Sequence, residues 1–136
     1  MVLQHLNYVH VLVATLAYFA LGAIWYNPKV FGAMWMKGHN MPTPTAEDRK
    51  NMGMMMMFPI VFTILSTITL ACLAYLIGSS NWMTGAKLGL AAGAFATTAL
   101  GMSHAYTKKP FSLTILDSAY HICGLCIAGI ILSVWH

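Results

Sequence analysis

Charged residues are scarce in this chain. Seven Lys/Arg and three Asp/Glu serve 136 positions, a share of 7%, where a soluble domain carries about a quarter. So little charge cannot cover a water-facing surface, which excludes an ordinary soluble domain and makes lipid the expected solvent. Cysteine is scarce too. Three are too few for a disulfide framework. No Lys or Arg precedes the first apolar run, and that run is too long for a signal peptide, so it is expected to stay as a spanning helix. Phosphate loops, nucleophile elbows and metalloprotease motifs are absent, and so is any internal repeat. These absences point away from an enzyme. The net charge of +4 would hint at nucleic acid in a soluble protein. Here the basic residues sit in connections, where they read as topology signals, and no nucleic-acid partner is expected.

What is present is apolar. Hydrophobic residues make up 59% of the chain and the mean hydropathy is +0.70. A bilayer core takes about 20 apolar residues in helical form. Four windows meet that length, at about residues 6–26, 56–78, 84–106 and 113–135. Pro59 falls in the first turn of the second, where proline does least harm. The expected fold is all-α: a polytopic four-transmembrane-helix bundle forming one integral membrane domain over 1–136. The connections "SSNWM" and "TKKPFS" are short, so spans two and three, and three and four, should pack antiparallel. The first connection, 27–55, is long. Asn27-Pro28 is a helix start, and "KVFGAMWMKG" after it predicts a short helix lying in the interface. "NMPTPTAEDRKN" reads as a polar turn region.

Orientation follows the cations. Lys29, Lys37, Arg49 and Lys50 lie in the first connection, and Lys108 and Lys109 in the third. Lys87 is just inside span three and can snorkel. The positive-inside rule then puts both of those connections in the cytoplasm and both termini outside it. The lipid bilayer is the expected partner.

Span three carries a stripe of small residues: Gly85, Gly89, Gly93, Thr97 and Gly101, four apart. Such stripes let helix backbones approach closely in lipid. Packing inside the bundle is one use; a homo-oligomer interface is the other.

Span four carries the ionisable groups. Asp117 and His121 are one turn apart and share a face. His104 ends span three near the same membrane surface, where Tyr106 and Tyr120 can join it and where Trp25, Tyr26 and Asn27 end span one. Ionisable residues in a span face the protein interior or a water-filled cavity. Three readings follow. Asp117 could accept hydrogen bonds from His121 or His104 and tie helices together. The group could bind or conduct a proton, cation or small polar molecule, since histidine titrates near neutrality. Asp117, His121 and His104 could ligate a divalent ion. No cofactor is expected beyond that metal alternative. His10 lies near the opposite surface and belongs elsewhere. Cys123 and Cys126 point away from His121 and read as packing. The methionine run at 52–57 reads as adaptable packing, with Cu(I) binding as the alternative.

Several of these motifs carry a resemblance. Asn7-Tyr8 opens span one, Ala14 follows, and "GAIWYNPKVFGAMW" runs from Gly22 to Trp35. The chain resembles the small bacterial membrane proteins grouped as "domain of unknown function 1761", which share G-x-x-W-Y followed by F-G-x-x-W. The span-four ending "AGIILSVW" is similar too. Gly101-Met102 departs from the family's usual Gly-Phe. The resemblance implies a four-span protein of a bacterial inner membrane and assigns no activity. It also implies that Trp25, Tyr26 and Trp35 matter to the shared fold or site. The leading expectation is therefore a non-enzymatic membrane protein with a polar site at Asp117, His121 and His104. The second is a structural or accessory subunit. The third is a membrane metal or redox protein.

Overall fold

The computed structural model describes residues 2–135. They are helical almost throughout, with no strand among the described residues. Four helices are long: α1 (Tyr8–Trp25), α5 (Met57–Leu76), α6 (Trp82–Tyr106) and α7 (Phe111–Val134). Between α1 and α5 lie a π-helical turn (Pro28–Gly32) and three short helices, α2 (Ala33–Gly38), α3 (Ala46–Lys50) and α4 (Met52–Met55).

Local chemistry explains most of the boundaries. The Asn7 side chain accepts from the backbone N–H of Val9 and His10 at the start of α1, and Asn81 does the same for Thr84 at the start of α6. Both satisfy N–H groups that a helix leaves orphaned. Asn27 accepts from the Lys29 N–H and places Pro28 at the first helical position, as expected. Gly78 ends α5 with a positive φ of 62°, and the Ser79 N–H closes the turn onto the Ala74 carbonyl. One expectation needs correcting. The stretch read as a polar turn region contains α3, because Thr45 and Asp48 form a capping box in which each side chain caps the other's backbone. Its signature here is Thr-x-x-Asp rather than the commoner Thr-x-x-Glu.

Three helices are long and apolar enough to span a membrane: α1, α7 and the stretch Met52–Leu76, which joins α4 and α5. The expectation was four. α6 has 25 residues, about 37 Å of helix, but it is not among the sufficiently apolar ones. Thr84, Lys87, Thr97, Thr98, Ser103 and His104, together with four glycines, dilute its apolar content.

α7 is the centre of the packing. It contacts α6, α1, α5 and α2, and it contributes more buried residues than any other helix. Ala14 and Tyr18 of α1, Leu70 of α5, and Leu125 and Ala128 of α7 form the core cluster. Gly85, Gly89 and Gly93 are buried against α7. A Cβ on Gly93 would stand 2.8 Å from the Ile122 Cα. Thr97 donates its hydroxyl to the Gly93 carbonyl, and Gly101 is more loosely placed, with Thr114 Cγ2 at 3.8 Å from its would-be Cβ. The upper stripe thus lies inside the chain, on a surface that α7 already covers. Two hydroxyl pairs join helices elsewhere: Thr15 with Thr67 at 2.6 Å and Ser79 with Ser133 at 2.7 Å. Outward-facing groups are bulky and apolar, among them Phe58, Phe62, Leu76 and Phe95. An unpaired apolar exterior of this kind suits lipid rather than water.

Candidate functional site

The site lies where α1 ends, α6 ends and α7 begins. Thr114, Asp117 and His121 lie three and four residues apart on α7, which stacks them along one face. Asp117 is buried, at 6% exposure. Its Oδ1 accepts the Tyr26 hydroxyl at 2.7 Å, and its Oδ2 faces His104 Nε2 at 3.8 Å. The other His104 ring nitrogen, Nδ1, meets the Thr114 hydroxyl at 2.9 Å. The carboxylate therefore has one close hydrogen bond and one nearby imidazole, contributed by two other helices.

The segment after α1 covers this end. Gly32 permits the tight turn, since a Cβ there would run into the Tyr26 and Asn27 backbone. Gly38 rests on Leu113, with 3.1 Å from its would-be Cβ to Leu113 Cδ1. Trp35 then meets Tyr26 edge-on at 5.5 Å and His39 at 4.5 Å, and His39 meets His104 at 6.3 Å between ring centroids. His39 lies outside the long helices and is half-buried. Burial pushes its pKa below the usual value, and the Lys109 ammonium adds to that; Asp117 pulls the other way.

His121 is one turn deeper than Asp117 but takes another partner. Its Nδ1 is hydrogen-bonded to the Tyr18 hydroxyl. Tyr120 bridges the two groups, with its ring 5.1 Å from Tyr26, 4.8 Å from His121 and 5.4 Å from Tyr18. Trp25 packs on Phe31 and lies 6.4 Å from Tyr120. Its buried indole N–H has no hydrogen-bond partner among the described residues. All six expected site residues thus gather at one end of the bundle, but as two linked groups. Of the two expected partners of Asp117, His104 faces it at 3.8 Å, whereas His121 pairs with Tyr18 of α1 and Tyr26, just after α1, donates to Asp117. No three His, Cys, Asp or Glu among the described residues come together as a metal-binding group, so Asp117, His121 and His104 are not assembled as a ligand set.

The remaining groups lie elsewhere. His10 stacks on Trp135 at 4.9 Å at the opposite end. The three cysteines are free, and Cys126 touches the Ala86 carbonyl at 3.6 Å in the α6–α7 contact. The methionines from Met52 to Met57 are exposed.

A family model described as "Protein of unknown function (DUF1761)" matches residues 9–133. The chain belongs to this family. No curated protein and no solved structure matches it. The DUF1761 match runs from the first turn of α1 to the last turn of α7, so it takes in the whole polar end. The tryptophan-tyrosine pair that carried the resemblance, Trp25-Tyr26, supplies the donor to Asp117.

Tyr18, Thr114 and His39 are the site residues that the sequence reading missed. Tyr18 had a signal, because Val11, Ala14, Thr15, Tyr18, Gly22 and Trp25 recur at helical spacing along one face of α1. Thr114 had one too, in its register with Asp117 and His121. His39 had none, since its approach depends on how the connection folds back.

Proposed function

We propose that this DUF1761 chain is a four-span membrane protein whose Asp117–His104 pair accepts and releases a proton at the cytoplasmic end of the bundle. The observation that carries this reading is the buried Asp117 carboxylate, held by one hydroxyl and one imidazole contributed by two other helices. An ionisable group at that depth is costly unless it is used or tightly paired. A proton also suits the close packing. Two clefts, of about 490 and 320 Å³, are lined by other residues, and a proton needs no cavity.

A file of exchangeable groups supports a relay. His39 is half-buried at the surface, His104 and Asp117 follow, and Tyr26, Tyr120, His121 and Tyr18 lead inward. Thr15, one turn further along α1, pairs with Thr67. Each member is a donor, an acceptor or both. The orientation that places His39 and Lys109 in the cytoplasm rests on the basic connections.

The test is proton flux into liposomes carrying the purified protein and an internal pH dye, with a potassium-diffusion potential as the drive. The wild type should acidify or alkalinise the lumen above protein-free vesicles, and Asp117→Asn should lower that rate at least about tenfold, the loss expected when a proton carrier is removed. Equal rates for protein-free, wild-type and Asp117→Asn vesicles would overturn the relay. The second reading, a helix tie in an accessory subunit, is favoured by the same Tyr26–Asp117 bond joining the end of α1 to α7. It expects Asp117→Asn to change stability and leave flux at background.

A further inference from the structure

The opposite end of the bundle holds a cleft that the polar site does not use. It has a volume of about 490 Å³, within the range of sites that hold a small ligand. Its floor is apolar, formed by Val11 of α1, Ala71 and Ala74 of α5, and Leu132 of α7. Its rim is polar and aromatic. His5 stacks on Tyr75 at 5.4 Å with the rings 7° apart, and His10 stacks on Trp135 at 4.9 Å and 4°. Two imidazoles thus each lie flat against an aromatic ring, and neither ring nitrogen pair is engaged in a hydrogen bond among the described residues. Ser80 and the Asn7 side chain complete the rim.

We propose that this cleft binds the phosphate headgroup of an anionic lipid, with the first part of an acyl chain on the apolar floor. The rim chemistry selects the head. Imidazole and indole N–H groups, hydroxyls and an amide all donate, and no acidic side chain lines the cleft: the three in the chain are Glu47, Asp48 and Asp117. A group rich in acceptor oxygens is matched there, while a primary ammonium would find no carboxylate side chain among the lining residues. The apolar floor selects the tail, because a free phosphate leaves those four side chains uncovered. The position selects the source. The cleft opens where α1 starts and where α5 and α7 end, at the level of the lipid headgroups if these helices span, and Tyr75 and Trp135 are residues that favour that level. This inference rests on the membrane reading but not on the proton relay, which lies at the other end.

Thermal unfolding of the detergent-solubilised protein tests it, with added phosphatidylglycerol, phosphatidylethanolamine or inorganic phosphate as probes. Phosphatidylglycerol should raise the unfolding temperature of the wild type by several degrees, phosphatidylethanolamine by much less, and inorganic phosphate not at all. His5→Ala/His10→Ala should lose the phosphatidylglycerol shift. Trp135→Phe keeps the stacking ring and removes one donor, so it serves if the double variant fails to fold, and it should reduce the shift. Equal shifts from the two lipids, an unchanged shift in both variants, or an equal shift from inorganic phosphate would each overturn the assignment. Neither relay variants nor flux enter this readout, so it can fail while the relay stands, and the reverse.

Discussion

Replacing a glycine by alanine normally stabilises a helix, by about 1 kcal/mol. Two glycines of the small-residue series on α6 should respond with opposite signs. At Gly89 a Cβ would lie 2.5 Å from the Cys126 Cα, with the Leu125 carbonyl oxygen nearer still. Both are backbone atoms of α7 and cannot rotate away. Reaching ordinary contact near 3.4 Å requires the two helices to part by about an ångström. That separation loosens the contacts of Gly85 and Gly93 on either side, and dispersion falls steeply over such a gap. Under the four-span reading proposed above, this packing is what holds α6, since lipid is as apolar as the interface. Overpacking costs about 1–3 kcal/mol, and a backbone clash belongs at the top of that range, so Gly89→Ala should destabilise by about 2 kcal/mol net of the helix-propensity gain. At Gly101 the nearest atom is Thr114 Cγ2 at 3.8 Å, an ordinary contact. Gly101→Ala should therefore stabilise, by up to about 1 kcal/mol. Reversible unfolding of each variant in mixed micelles, read by circular dichroism, measures both. If the two variants shift in the same direction, the close approach of α6 to α7 at Gly89 is not what the helix contact requires.

Further outcomes follow from other contacts. Tyr26→Phe removes the donor to a buried carboxylate and should cost about 1–3 kcal/mol, measured by the same unfolding; a neutral result would mean that Asp117 does not depend on that bond. Ser133→Ala leaves Ser79 buried without its partner and should cost about 1 kcal/mol. His39 has its pKa lowered in the fold, so its neutral form is favoured there. The stability it lends is present above pH 6.5, its ordinary value, and is lost as pH falls through the lower folded value. Hydrogen exchange over 35–40 should accelerate as pH is lowered through that window after correction for intrinsic rates, and His39→Gln should abolish the dependence. Asp48 is held below its ordinary value of 3.8 by the Thr45 N–H and hydroxyl. The bond from the Thr45 N–H to the Asp48 carboxylate is therefore intact above that pH and released as pH falls through the lower folded value, which exchange at the Thr45 N–H would report; Asp48→Ala should remove the protection at every pH.

Much of the fold was legible in the sequence because lipid imposes simple demands. Apolar length marked α1, α5 and α7, and Asn27-Pro28 marked a helix start; the caps at Asn7 and Asn81 act just as locally but were not read as caps. α3 was missed because its capping box uses aspartate in a stretch dominated by proline and polar residues. The glycine periodicity on α6 pointed to a flat packing face, and that face meets α7 at Gly85, Gly89 and Gly93, while the helix itself falls short of the expected apolar content. The polar end was legible as a neighbourhood: helix register and short loops bring Asp117 and His104 to one surface. Pairing within it was not. Which of Tyr18, Tyr26 and Thr114 reaches which imidazole or carboxylate depends on helix rotation and on the fold-back at Gly32, and neither leaves a trace in residue spacing.

The central position of α7 has a consequence for how the chain matures. It follows α1, α5 and α6 in the sequence, so the translation machinery delivers it after all three. Until it arrives, Tyr26 and His104 have no carboxylate to meet, Tyr18 has no imidazole, and the glycine face of α6 is bare. α6 is also the long helix least suited to lipid on its own. Under the four-span reading proposed above, its retention at membrane depth depends on a helix not yet synthesised, and α6 and α7 would enter as a hairpin. A ribosome stalled ahead of Phe111 would hold a chain in which α1 can meet α5 through Thr15 and Thr67 but the helix that completes the core is missing.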